Sequence, residues 1–252
     1  MCDRTVAGQN KLINGDATLF LKELLGYNQI MPRLARVVIP NIPYHITQRG
    51  NRGEDVFFCD ADKVFYLKLL KQYSHKYSVK VWAYCLMSNH VHLILRPSSE
   101  QGLQQVLKPL HMRYAQYINK KHNWKGHLWQ GRFFSSALDE AYTHSAIRYV
   151  ELNPVRAGMV DRAEDYLWSS AQAHLGLVKS DLLSNIFAKY NPASTEGWAA
   201  YLKEAGTPEH IEILNRNIEK GLPCGHESFI HRLEKLTKRS LSFRPIGRPK
   251  KG

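Results

Sequence analysis

Hydrophobic and polar residues alternate over about 37–49 well enough to predict a strand around Tyr44-His45-Ile46-Thr47, and Gly50-Asn51-Arg52-Gly53 ends it as a turn that carries arginines. The spacing then lengthens to that of a helix over about 60–76, with Asp60 as its expected N-cap and Val64, Leu67, Leu70 and Tyr73-Ser74 along one face. Residues 79–87 and the apolar run beginning at His90 read as two strands joined by a tight Ser88-Asn89 connection, hence a β-hairpin. A second long helix is expected over about 101–121. Leu103, Val106, Leu107, Leu110, Tyr114 and Tyr117 face inward on it, and Pro109 should kink or restart it. A short strand over about 132–138 and a helix over about 140–152 come next. Asn153-Pro154 should end that helix, because proline disfavours the helical conformation in the residue before it.

Strand, helix, paired strands, helix, strand and helix in that order predict an α+β fold: a ferredoxin-like antiparallel sheet with packed helices. From Gly176 onward the pattern turns helical and polar, with helices expected over 180–189, 196–205, 208–220 and 227–241. This divides the chain into a domain over 31–177, an accessory helical region over 178–243 and a basic tail over 244–252. Residues 1–30 differ in composition from the strand-rich, basic sequence after them, with a short helix expected over 17–25, so Met31 is read as the natural start and 1–30 as an extension upstream of it.

Composition narrows the partners. The chain has 252 residues, 44% of them hydrophobic, enough for a packed core, and a formal charge of +13. So basic a surface points to a polyanion, nucleic acid before membrane, through phosphate neutralisation. Cys2, Cys59, Cys85 and Cys224 are scattered and form no C-x-x-C, which argues against a disulfide framework or zinc knuckle and suits a reducing cytosol. No apolar run reaches membrane-span length, so no membrane partner is expected.

The chemistry starts at His90-Val91-His92. Side chains alternate along a strand, so the two imidazoles project together while Val91, Leu93 and Leu95 point the other way, and a histidine pair so held can share a metal ion. Such a metal serves a nucleic-acid enzyme as a Lewis acid on a phosphoryl oxygen, which calls for a nucleophile nearby. Tyr149 and Asn153, at i and i+4 before Pro154, share a helix face. The phenol is a nucleophile that needs help at its ordinary pKa near 10, and the amide is a possible third metal ligand. Spacing alone does not separate Tyr149 from Tyr114, Tyr117 or Tyr142.

These blocks, with Gly126-His127-Leu128-Trp129-Gln130-Gly131-Arg132-Phe133, with Tyr149-Val150-Glu151-Leu152-Asn153-Pro154-Val155-Arg156-Ala157-Gly158, and with Trp168-Ser169-Ser170, occur in the order found in one family. Over about 31–177 the chain resembles the single-tyrosine HUH transposases, and most of all their REP-associated branch. Met31-Pro32-Arg33 and the block from Tyr44 to Arg52 fit the same resemblance. It implies that His90, His92 and Asn153 bind Mg²⁺ or Mn²⁺ and that Tyr149 attacks single-stranded or hairpin DNA. A 5′-phosphotyrosine and a free 3′-hydroxyl result, and strand transfer occurs when another 3′-hydroxyl attacks. The long C-terminal region departs from a minimal transposase. The expected setting is the bacterial cytoplasm, associated with the nucleoid, and both a monomer and a homodimer remain open.

Arg49, Arg52, Lys121, Lys125 and Arg132 are expected to pair phosphates, with Trp124 and Trp129 among them stacking bases. The tail carries Gly247-Arg248-Pro249-Lys250-Lys251, in which Arg248, Lys250 and Lys251 resemble an AT-hook core suited to a narrow minor groove or act as a basic tail drawn to any DNA. Three other readings of the sequence stand beside the transposase: a domesticated DNA-binding regulator on the same fold, a replication-initiator-like nicking enzyme, and an unrelated metal hydrolase.

Overall fold

Alternation in the first segment gives strand β1 (Tyr44–Arg49). After it come helix α1 (Asp60–Lys76), the hairpin strands β2 (Lys80–Leu86) and β3 (His90–Arg96), helix α2 (Gly102–His122) and strand β4 (Phe134–Ala137). The computed structural model describes residues 38–184, 195–204 and 208–242, all within one compact unit. The sheet order is β2-β3-β1-β4, and all three pairings are antiparallel. With helices making both crossovers, this is the ferredoxin-like α+β arrangement.

The two faces of the sheet bury different sets. Tyr44, Ile46, Val91, Leu93 and Leu95 pack with Tyr66 and Leu70 of α1 and Leu103, Leu107 and Tyr114 of α2. Ala83, Cys85 and Ile94 pack on the opposite side with Tyr142, Ala146, Ile147 and Val150 of helix α3 (Glu140–Glu151). Val91 therefore belongs to the layer opposite the one that receives His92. Asp139 caps α3 by accepting from the Tyr142 amide at 2.8 Å.

Several local expectations change. Asp60 is the first helical residue of α1, not its cap; Asp62 does the capping work, its Oδ2 accepting from the amides of Phe58 and Cys59 at 3.0 and 3.2 Å. Val64 is 56% exposed, because the buried face of α1 runs through Tyr66, Leu69, Leu70 and Tyr73. Ile118 rather than Tyr117 completes the buried stripe of α2. Pro109 neither ends nor restarts α2. The carbonyl that loses its partner belongs to exposed Gln105, where water can take the bond. The break expected at Asn153-Pro154 falls one residue earlier. Leu152, at ψ 1°, separates α3 from the short helix α4 (Asn153–Arg156), and Pro154 sits in the first turn of α4, where its missing N–H is harmless.

The segment 180–184 is not helical. Leu183 bridges in parallel to Val81, and the Ser184 amide donates to the Val81 carbonyl at 2.8 Å. The remaining C-terminal helices are α5 (Ala171–His174), α6 (Thr195–Lys203), α7 (Pro208–Lys220) and α8 (Glu227–Thr237). The last stops short of the expected 241 because Lys238 turns left-handed at φ 52°. The expectations for 1–30, for Met31 and for the tail fall outside the described residues. No described helix is long and apolar enough to cross a membrane.

Helices beyond residue 177 are built into the second face. Trp198 of α6 is fully buried, and its indole N–H donates to Glu151 Oε2 at 2.9 Å; Ser170 Oγ donates to Oε1 of the same carboxylate at 2.6 Å, and His174 Nδ1 faces that oxygen too. A fully buried carboxylate is tolerable only with such partners. The outer edge of β4 is covered by Cys224, whose amide donates to the Ala137 carbonyl at 2.8 Å, so the sheet does not end in an open ladder there. Glu151→Ala strands three buried donors, and it should cost about 3 kcal/mol of stability in equilibrium urea unfolding. A variant that unfolds at the wild-type midpoint would show that Glu151 does not tie these helices together.

Candidate active site

Register sets the site. Thr47 pairs with His92 and Arg49 with His90, so His45, two residues before Thr47, lies on the face of the sheet that carries His92. His45 Nε2 is 3.0 Å from His92 Nδ1, and the two rings are within 23° of parallel. On the other side of the His92 ring, Asn153 Nδ2 is 3.1 Å from Nε2. With the amide donating to Nε2, the His92 proton resides on Nδ1 and is donated to His45. His90 is held in the same sense, its Nδ1 2.6 Å from Asn89 Oδ1. Both histidines thus keep Nε2 as the nitrogen with a lone pair.

Burial keeps these rings neutral. It pushes His45 down to about 3, and it pushes His90 down to about 4 with help from the charge of Arg49. His92 is lowered well below the ordinary histidine value by burial first, then by His45, His90 and Arg156. Neutral imidazole is the form that binds a divalent metal. Among the described residues no three His, Cys, Asp or Glu converge as a ligand set. The protein donors on offer are His90, His92 and the Asn153 amide, which leaves the other positions of a hard cation to water and phosphate oxygens. That donor set can hold a divalent cation whose shell is completed by oxygen.

Tyr149 stands over the histidines. Its ring is 5.6 Å from that of His92 and 5.8 Å from that of His45, edge-on to both. The guanidinium of Arg156 lies 4.1 Å from the Tyr149 ring centroid and donates to the Tyr149 carbonyl. The phenol itself donates to Asn215 Oδ1 of α7 at 2.7 Å. Burial raises the Tyr149 pKa, against the opposing pull of Arg156 and Asn153. The competing tyrosines are used elsewhere. Tyr114 donates to the Val56 carbonyl at 2.6 Å, Tyr117 to Asp62 at 3.1 Å, and Tyr142 lies tilted against His210 with 4.6 Å between centroids.

The expected DNA contacts separate into groups. Arg49, Arg52, Lys125 and Arg132 are exposed. Arg49 ends β1 opposite His90 and the others lie on the loops that follow β1 and α2, which meet there: the Gly50 amide donates to the Asn89 carbonyl at 2.8 Å, the Asn51 amide to the Leu128 carbonyl at 2.8 Å, and the Gln130 amide to the Arg49 carbonyl at 3.0 Å. Lys121 is committed to Asp62, 2.6 Å away. Burial pushes the Asp62 carboxyl up, but Lys121, the Phe58 amide and Tyr117 outweigh it and hold the group below the ordinary value. Trp129 is a correction. Only 8% exposed, it packs with Tyr66, Tyr114 and His111 and donates to the His111 carbonyl at 3.0 Å, so it has no face to offer a base. Arg248, Lys250 and Lys251 fall outside the described residues. His45, Arg156 and Asn215 are the site residues that the sequence reading did not single out. The alternation of β1 carried a signal for the first, since it puts a histidine on the polar face of a strand beside the His-Val-His strand.

Residues 38–153 match the family model described as "Transposase IS200 like". No curated protein matches. Among solved structures, the chain is similar to a REP-associated tyrosine transposase bound to a REP hairpin, at 16% identity and a TM-score of 0.46, covering 62% of this chain and 99% of that one. It is also similar to a protein of Deinococcus radiodurans R1 assigned as a transposase, at 18% identity and a TM-score of 0.35, covering 46% of this chain and 94% of that one. The matched segment runs from just before β1 through Asn153 and so takes in His45, His90, His92, Tyr149 and Asn153; over that segment the chain is similar to the IS200-like transposases.

Proposed function

We propose that this transposase cuts and rejoins single-stranded DNA, at hairpin or palindromic ends, with Tyr149 as nucleophile and a divalent metal held by His90, His92 and Asn153. The observation that carries the reading is the convergence of β1, β3 and the α3–α4 junction: Asn153 is hydrogen-bonded to His92, and the Tyr149 ring lies against it. Nothing in the packing of a core tyrosine calls for two neutral histidines and an amide beside it. Mg²⁺ or Mn²⁺, when bound, neutralises charge on the scissile phosphate.

The residues of the chain do the rest. Tyr149 Oη attacks phosphorus, the bond from phosphorus to the 3′ oxygen breaks, and the strand is left with a free 3′-hydroxyl and a 5′-phosphotyrosine. The phenolic proton leaves with the exchange, and the 3′ oxygen gains one. Arg156, over the Tyr149 ring, favours the phenolate that develops during attack. Attack by another 3′-hydroxyl on the phosphotyrosine reverses the step and joins a new strand. No external energy source is required, because one phosphodiester is exchanged for another. Arg49, Arg52, Lys125 and Arg132 neutralise backbone phosphates near the scissile one, and the excess of basic residues in the chain makes binding salt-dependent.

His45 acts through His92. By accepting the Nδ1 proton it fixes the tautomer and the ring orientation that keep the lone pair on Nε2, which accepts from the Asn153 amide here and would turn to a metal when one binds. Two outcomes are expected. Tyr149→Phe should abolish cleavage of a labelled hairpin strand in Mn²⁺ while binding it within about twofold of wild type; cleavage by that variant would move the nucleophile elsewhere. His45→Leu should weaken Mn²⁺ binding about 10- to 100-fold in calorimetric titration, with His45→Gln recovering part of it through an acceptor oxygen. Wild-type affinity in His45→Leu would remove His45 from the metal centre.

A further inference from the structure

Residues 101–138 contain six Lys or Arg and no Asp or Glu, and all six basic side chains are exposed. At the C-terminal end of α2 this stretch meets three aromatic rings that the core does not absorb. Trp124 is 48% and Phe58 39% exposed, and His122 lies between them. The His122 and Trp124 rings stack at 4.5 Å and 26°, Phe58 is 4.6 Å from His122, and Phe58 meets Trp124 edge-on at 5.4 Å.

The cluster is built by the fold. Asp62 is fully buried at the start of α1 and holds Lys121 and the Tyr117 hydroxyl from the end of α2, while its second oxygen caps the Phe58 amide. That clamp fixes Phe58 beside His122. Asn123 then turns left-handed at φ 55° and the Trp124 amide donates to the Asn119 carbonyl at 2.8 Å, which folds the indole back onto His122. On the other side, the amides of Val56 and Phe57 donate to the Ser88 carbonyl at 2.8 and 3.0 Å. Ser88 lies two residues before His90, so the rings and the histidine pair stand at the same end of β3.

We propose that Phe58, His122 and Trp124 form a stacking subsite for unpaired bases of the DNA strand, outside the centre that handles the scissile phosphate. The inference rests on the single-stranded DNA reading above. Charge chooses the occupant: Lys120 and Lys125 flank the rings, and every charged residue on the exposed side of α2 that leads to them is a cation, which suits a polyanion with aromatic bases. The acidic residues nearby, Glu54, Asp55 and Asp60, lie on the Phe58 side of the cluster, with Asp60 paired to Lys63 at 3.6 Å. The strand is therefore expected to approach from α2 and the Trp124 side. Lys121, committed to Asp62, builds the platform and is not one of its phosphate contacts.

Binding of the full chain to two fluorescent oligonucleotides of equal length and charge tests this, one intact and one with consecutive abasic sites, without divalent metal so that neither is cut. Wild type should prefer the intact strand about 10-fold. Trp124→Ala should erase that preference by weakening only the intact strand, and Trp124→Phe should retain most of it. An equal loss for both strands, or no loss for either, would overturn the subsite, as would a wild type that binds both strands alike. Failure of wild type to bind any intact strand at low salt would instead overturn the single-stranded DNA reading itself.

Discussion

The register of β1 against β3 is the constraint on which the site depends. Side chains alternate along both strands, so pairing Thr47 with His92 and Arg49 with His90 puts His45 and His92 on one face and Tyr44, Ile46, Val91, Leu93 and Leu95 on the other. A slip of one residue would send the histidines into the layer of α1 and α2 and bring the apolar set out of it. Each of those five buried side chains contributes about 1.5–3 kcal/mol, so hydrophobic burial on one face holds polar chemistry in place on the other. The Ser88-Asn89 turn reinforces the register at its open end. Its backbone receives the loops that come after β1, and Asn89 orients the His90 ring.

The second face adds what a sheet cannot supply. Leu152 breaks α3 from α4, and the break delivers Asn153 to His92 while Tyr149, one turn earlier, stays over the rings. Glu151, beside that break, is fully buried, with partners from the segment around α5 and from α6. The C-terminal region then reaches the Tyr149 helix directly, through Asn215 on Tyr149 and through His210 against Tyr142 and Ser145. Helices C-terminal to the family-matched segment are therefore part of the surroundings of the tyrosine. The Tyr149 phenol is held between a carbonyl acceptor, which favours the neutral form, and the Arg156 cation, which favours the anion.

Much of this was legible in the sequence. Period-two and helical spacing gave the element order and the ferredoxin-like sheet, and His90 and His92 stood out by residue type and spacing, whereas only the family resemblance picked Tyr149, with Asn153 one turn later, from the other tyrosines. What was hidden depended on contacts between distant segments. Nothing local distinguishes His45 from an incidental strand histidine until β1 is paired with β3. Trp129 reads as a surface aromatic among cations, yet a bridge to Gly50 folds it into the core and leaves Trp124 as the exposed ring. Lys121 reads as a phosphate contact, but buried Asp62 needs a counter-charge and takes it. Pro109 reads as a break, but solvent at its acceptor makes the lost bond tolerable.

The central claim is that Tyr149 becomes covalently joined to DNA. Trypsin cuts after Arg148 and Arg156, so the peptide Tyr149–Arg156 holds this tyrosine and no other. Mass spectrometry of that digest, after incubation with a single-stranded hairpin substrate and Mn²⁺ and trimming of the DNA by nuclease, tests the claim most directly. The account predicts the peptide with a nucleotide phosphate attached at Tyr149. The same mass on a peptide carrying Tyr142, Tyr114 or Tyr117, or cut DNA with a free 5′-phosphate and no modified peptide, would contradict it.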